Sequence, residues 1–196
     1  MIAAVEEQQA RADRRQRIAA AGIRLIAASG VRGLTHRAVD GELGLPTGST
    51  SYYARTRRDL VQLVVQRLAE RTTLDLARLP VPEASTIPEC AALLATGLEI
   101  LMQRPEEQVA RIALHLEYRD DPEMQRALAG DPPLRPSLEA AARAVLHSLG
   151  LAADHAAALV DLMDALLVSQ VVRGARLHTE AVFTAYLKGL AEEERP

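Results

Sequence analysis

Between Thr35 and Leu60 the chain reads THRAVDGELGLPTGSTSYYARTRRDL, a run of hydroxyls, two adjacent tyrosines and a cluster of arginines. Those side-chain types in that order suit the chemistry of a DNA duplex. Thr47, Gly48, Ser49, Thr50 and Ser51 are small and polar. Small residues let a helix sink into a groove about 12 Å wide, and hydroxyls donate to or accept from base edges. Arg37 lies one turn into the preceding helix, where a guanidinium can reach a guanine edge with two parallel hydrogen bonds. Thr35 and His36 open that helix, where backbone N–H groups and the dipole favour an anion. Tyr52 and Tyr53 are half of the four tyrosines in the chain, and Arg55, Arg57 and Arg58 follow at once. The bland reading of the same residues is a serine-rich surface turn with solvated arginines.

The elements that must hold these groups are legible around them. Thr35 is a good N-cap for a short helix reaching Leu43. Gly44 ends it, because two helices crossing steeply need a residue with positive φ between them. Pro46 suits the first turn of a second short helix that closes near Tyr53. Val39, Leu43 and Leu45 lock this pair onto a first helix over residues 12–29, where Ile18, Ala19, Gly22, Leu25 and Ile26 recur at helical spacing and Ser29-Gly30 is the stop. A longer helix fits Arg57 to about Leu76, with Leu60, Leu63, Val64, Arg67 and Leu68 on one side. Pro80, Pro82 and Pro88 then make a connector. Helices are predicted beyond it at about 86–103, 105–119, 121–129, 135–149, 152–175 and 179–193, with breaks at Pro105, Asp121-Pro122, Gly130 to Pro133, Gly150 and around Arg176–Thr179. No alternating strand is evident, so the expected fold class is all-α.

Charge divides the chain the same way. The whole protein of 196 residues carries −3, but residues 1–75 hold 12 Arg against 8 acids, and the remainder is net −7. Between Arg11 and Arg71 the local balance is +7. A basic first third on an acidic body is the footprint of a nucleic-acid-binding head. Cys90 is the single cysteine, so no internal disulfide and no cysteine-based zinc site can form, and no metal or cofactor is expected. No apolar run approaches the roughly 18 uncharged residues that span a bilayer, and the N-terminus lacks the order of a secretory signal. A cytoplasmic protein without a membrane partner is the expectation. Glu99, His115, Glu117 and Asp161 could be assembled into an acid/base set on paper, but no spacing supports it, and no catalytic residue is assigned.

Residues 14–68 resemble the N-terminal domain of the TetR family of bacterial transcriptional regulators. The segments RIAAAGIRLIAASG, VRGLTHRAV, ELGLPTGSTSYY and RTRRDLVQLV follow that family's pattern in order and spacing. The resemblance implies a head over 1–56, a linking helix at about 57–76, and a C-terminal effector-binding and dimerisation domain over 77–196. It implies Arg37, Thr47, Gly48, Ser49 and Ser51 as base readers, and Thr35, His36, Tyr52, Tyr53, Arg55 and Arg57 as phosphate contacts. Two departures from the pattern, Asp40-Gly41 for a small apolar pair and Ala54 for a bulky core residue, imply a slightly loosened head.

For the body, the resemblance implies a homodimer joined through the last two long helices. Leu159, Leu162, Met163, Leu166 and Leu167 form one apolar stripe, and Val182, Phe183, Tyr186, Leu187 and Leu190 form another. On pattern alone these stripes fit internal packing equally well. An effector pocket is expected among the helices between 86 and 150, with Met102, Arg111, His115, Tyr118 and His147 as the notable side chains. The partners implied are double-stranded operator DNA and a small molecule whose identity the sequence does not give. The function implied is a ligand-responsive repressor released from a palindromic operator. The alternative is a helical protein-interaction adaptor with a degenerate DNA-binding head.

Overall fold

The computed structural model describes residues 2–76, 86–129, 134–175 and 177–194, and among them there is no strand. The connector prolines Pro80 and Pro82 and the Gly130–Pro133 break lie outside the described residues. Helix α1 spans Ile2–Gly33 and is broken at Gly30, whose φ of 72° is open to glycine without steric cost. Helix α2 spans His36–Glu42, α3 Arg57–Leu76, α4 Ile87–Met102 and α5 Pro105–Glu117. Helix α6 spans Pro122–Leu128, α7 Leu134–Ser148, α8 Ala156–Arg173 and α9 Thr179–Glu193. Two 3-10 turns, Thr50–Tyr52 and Ala153–His155, complete the described elements.

The helix boundaries follow from local chemistry. Thr35 caps α2 by accepting the N–H of Ala38 at 3.1 Å. At the start of α3, Thr56 and Asp59 cap each other: the Thr56 N–H donates to the carboxylate at 2.9 Å and the Asp59 N–H donates to the hydroxyl at 3.1 Å. Thr86 and Glu89 build the same reciprocal box at α4. Gly174, with φ 62°, ends α8 in the left-handed conformation.

The chain forms two compact units, and they interleave along the sequence. The first joins Met1–Arg71 to Glu106–Pro132, and the second joins Thr72–Pro105 to Pro133–Pro196. In the first, Ile18, Ile26, Leu34, Leu60, Val64 and Leu68 make a core, to which α5 and α6 add Ala110, Leu114, Met124 and Leu128. Gly22 sets how close α1 and α3 come: a Cβ there would lie 2.5 Å from Cγ2 of Val64. In the second unit, Leu98 of α4, Leu146 of α7, Leu159 of α8, and Phe183 and Leu187 of α9 are fully buried together.

Candidate nucleic-acid interface

The segment after α2 departs from the expected second helix. Residues 47–49 form a turn, Gly48 takes φ 96°, and only Thr50–Tyr52 winds on as a 3-10 turn. Gly44 sits between the two elements with φ 63°. The cause of the tight path is Asp40. Its buried carboxylate accepts the N–H of Gly48 at 2.7 Å, the N–H of Thr50 at 2.8 Å and the Thr50 hydroxyl at 2.6 Å. Burial alone raises the Asp40 pKa, but the hydrogen bonds from Thr50 and Gly48 outweigh it and hold the carboxyl below its ordinary value. Asp40 therefore fastens the turn to α2 rather than loosening it, reversing the sequence expectation at this position.

Other sites expected at the interface divide into exposed groups and framework. Arg37, Thr47, Gly48, Ser51, Tyr52 and Arg55 are exposed on this turn and its flanks. Arg37 has no ion-pair partner among the described residues. Thr35 spends its hydroxyl on the α2 cap. The ring of His36 is also committed: Nε2 lies 2.7 Å from the carbonyl of Ala54, and since a carbonyl only accepts, Nε2 is the donor. Ala54 itself is buried in the core, gripped through that carbonyl. Ser49 donates to the Pro46 carbonyl at 2.6 Å, and Arg57 donates to the Val31 carbonyl at 2.8 Å, beside the Gly30 break. Tyr53 is half-buried against the core, and its ring meets that of Tyr52 edge-on with centroids 5.1 Å apart. Arg58, read in the sequence only as part of the arginine cluster, instead pairs with Asp121 at 2.9 Å and Glu123 at 2.9 Å and so ties α3 to the start of α6. No local spacing could have shown this pair, since its partners are 63 residues apart.

The candidate effector side chains are divided between the two units. Arg111, His115 and Tyr118 belong to the first unit. There Arg111 donates to the Leu68 carbonyl at 3.1 Å, His115 pairs with Gln125 at 3.1 Å, and Tyr118 packs on the core. Met102 and His147 belong to the second unit, Met102 packed on its core and His147 exposed. A separate groove of ≈ 730 Å³ in that unit is lined by Ala95 and Glu99 of α4 and by Thr179, Glu180, Thr184 and Lys188 of α9, among others. None of the five expected residues lines it. Arg111 and Glu107 of α5 are instead tied to α3, through the Leu68 carbonyl and Arg71.

Of the expected dimer residues, Leu159, Leu166, Phe183 and Leu190 are buried within the protomer's own core. Leu162, Met163, Val182 and Tyr186 are half-buried at its edge. The exposed large apolar groups of α8 are instead Val168 and Val172, at 43% and 65% exposure. The stretch Ala153–Arg173 is long and apolar enough by composition to cross a membrane, yet it carries Asp154, Asp161 and Asp164.

Residues 85–193, more than half of the chain, match the family model described as tetracyclin repressor-like, C-terminal domain. The chain belongs to the TetR family. Its fold is the all-α layout of TetR regulators, an N-terminal DNA-binding domain followed by a C-terminal ligand-binding domain. A TetR-family member from Streptomyces coelicolor A3 is 27% identical, with a TM-score of 0.72 over 90% of this chain and 97% of that one. The multidrug binding protein EbrR, solved with imidazole, is 27% identical with a TM-score of 0.67 over 90% and 94% of the two chains. EbrR has also been solved with proflavin, malachite green and ethidium. A TetR-family regulator from Rhodococcus sp. shares the fold at 15% identity, with a TM-score of 0.70 over 91% and 98% of the chains. No curated protein matches the chain.

Proposed function

We propose that this TetR-family regulator is a homodimeric repressor that reads a palindromic operator through its N-terminal head and leaves it when a small molecule binds the C-terminal domain. The observation that carries the reading is the surface after α2. Arg37 near the start of α2, and Thr47, Ser51, Tyr52 and Arg55 on and beyond the turn that Asp40 fastens to it, are all exposed, so cations and hydroxyls face solvent above a hydrogen-bonded backbone. Arg37 and Thr47 read bases, with Ser51 beside them; Tyr52 and Arg55 hold phosphates. His36, Ser49 and Arg57 act mainly as framework, given the carbonyls they already grip.

Dimerisation is needed because one short reading element spans few bases, and two-fold symmetry matches a palindrome. The exposed Val168 and Val172, with half-buried Leu162 and Met163 on the same helix, supply its apolar surface. For the effector, the α4–α9 groove falls within the roughly 300–1,000 Å³ typical of small-molecule sites. Glu99 and Glu180, set against the single Lys188, leave the groove with an acidic lining that suits a ligand with a cationic group, and EbrR has been solved with proflavin and ethidium. The effector moves the equilibrium only as far as its affinities for the two states differ.

The test is selection of duplexes from a random pool by the intact protein, followed by mobility shifts. The expected outcome is enrichment of a palindrome, with affinity falling steeply as salt rises. Binding by Arg37→Ala and Arg55→Ala variants should drop about ten-fold or more. No enrichment of any duplex would favour the adaptor reading and overturn this one.

A further inference from the structure

We propose that the exposed N-terminal turns of α1 are part of the nucleic-acid interface, with Arg11 acting as a positioning residue for Tyr52; this rests on the DNA-binding reading above. Among the described side chains of α1, the first fully buried one is Ile18, although the helix runs from Ile2. From Glu6 to Arg17 every side chain is exposed except the half-buried Arg14. Burial therefore does little to hold these turns. Local pairs do some of it: Gln9 donates to Asp13 at 3.1 Å and Arg11 pairs with Glu7 at 2.9 Å, both weak contacts on an exposed helix.

The geometry gives the segment a further task. Arg11 lies seven residues before Ile18 and eleven before Gly22, on the stripe of α1 that faces the head's core. Helical periodicity thus aims Arg11 back toward the turn after α2. Its guanidinium carbon stands 5.8 Å from the centroid of the Tyr52 ring, within cation–π range. Tyr52 is 67% exposed, so without partners its ring would be free to rotate and would lose that freedom on meeting a phosphate. Tyr53 touches the ring edge-on and Arg11 adds a cation. Together they hold the phenol in one orientation before DNA arrives.

The experiment uses the full chain and a duplex selected by it from a random pool, with helicity of each variant checked by circular dichroism. Arg11→Ala keeps a good helix former, and its duplex affinity should fall about three-fold, the size expected of an exposed cation–π contact. Arg11→Lys keeps a cation over the ring and should restore most of the loss. In a Tyr52→Ala background, Arg11→Ala should cost nothing more, because its target is gone. An undiminished affinity in Arg11→Ala, or the same loss with and without the Tyr52 ring, overturns the inference while leaving DNA binding by the head intact. A chain that selects no duplex removes both readings, and that outcome is visible before any variant is made.

Discussion

Asp40 and Thr50, ten residues apart, are joined twice: the Thr50 N–H and hydroxyl both donate to Oδ1 of the Asp40 carboxylate, at 2.8 and 2.6 Å. Both side chains are buried, and the second oxygen of Asp40 takes the N–H of Gly48. Asn keeps one acceptor oxygen but puts an NH2 donor where either the Gly48 N–H or the two Thr50 donors already point. We expect Asp40→Asn to destabilise the protein by about 2 kcal/mol, the cost of leaving buried polar groups unpaired. A urea melt of the variant coincident with that of the parent would show that the clamp contributes nothing.

Acid should act on the same clamp. The Asp40 carboxyl has its pKa lowered from 3.8 in the fold, so its stabilisation is fully present above that value and is lost as pH falls through the lower, folded value. Urea midpoints measured from about pH 6 downward should therefore fall on the acid side, and Asp40→Asn should flatten part of that fall.

Two glycines should respond in opposite directions to alanine. At Gly22 a Cβ would lie 2.5 Å from Val64 and 3.2 Å from Leu34, so Gly22→Ala must push α1 from α3, at a cost of about 1–3 kcal/mol. At Gly41 a Cβ would meet nothing within 4 Å, and the residue lies within α2. Gly41→Ala should stabilise by up to about 1 kcal/mol through helix propensity alone. Thermal melts decide; stabilisation by both, or by neither, contradicts the packing described.

Asp121 joins two tasks, capping α6 through the N–H groups of Glu123 and Met124 and pairing with Arg58. The Arg58 hydrogen bond, with help from the Met124 N–H, lowers its pKa from 3.8 to about 2. Stability from this group is present above 3.8 and disappears as pH falls toward about 2. Asp121→Asn should lower the melting temperature at neutral pH and erase the difference from the parent at the acid end. An equal gap at both ends would mean the cap and pair do not titrate with this carboxyl.

The dimer proposal predicts that Val172→Glu, a charge on the most exposed large apolar residue of α8, yields monomers in sedimentation velocity while keeping the parent's helicity. A parent that sediments as a monomer would refute the proposed assembly outright.

Much of the head was legible because its signals are local. Thr35, Gly44 and the three-and-four spacing of Leu60, Val64 and Leu68 each act within a turn or two of chain, and α2 and α3 stand where those signals put them, whereas α1 runs over Ile2–Gly33 instead of 12–29. The turn after α2 was not legible, because its path depends on a carboxylate eight to ten residues away. Nor was the placement of α5 and α6 with the head, which rests on contacts such as Arg58–Asp121 between remote parts of the sequence. The apolar stripes of α8 and α9 showed that these helices bury a face. They did not show which residues bury it inside the protomer, since Leu159 and Phe183 carry the same periodicity whether the neighbour is the same chain or a copy.

The Asp40 clamp also separates two things that evolution must adjust. It grips main-chain N–H groups and one buried hydroxyl, and it touches neither Thr47 nor Ser51. On the proposed DNA-binding reading, those exposed positions can vary without disturbing the frame, so a new base preference would be reachable by exchange of single surface side chains. In such a protein, the alphabet it reads and the steadiness of the hand that reads it are inherited separately.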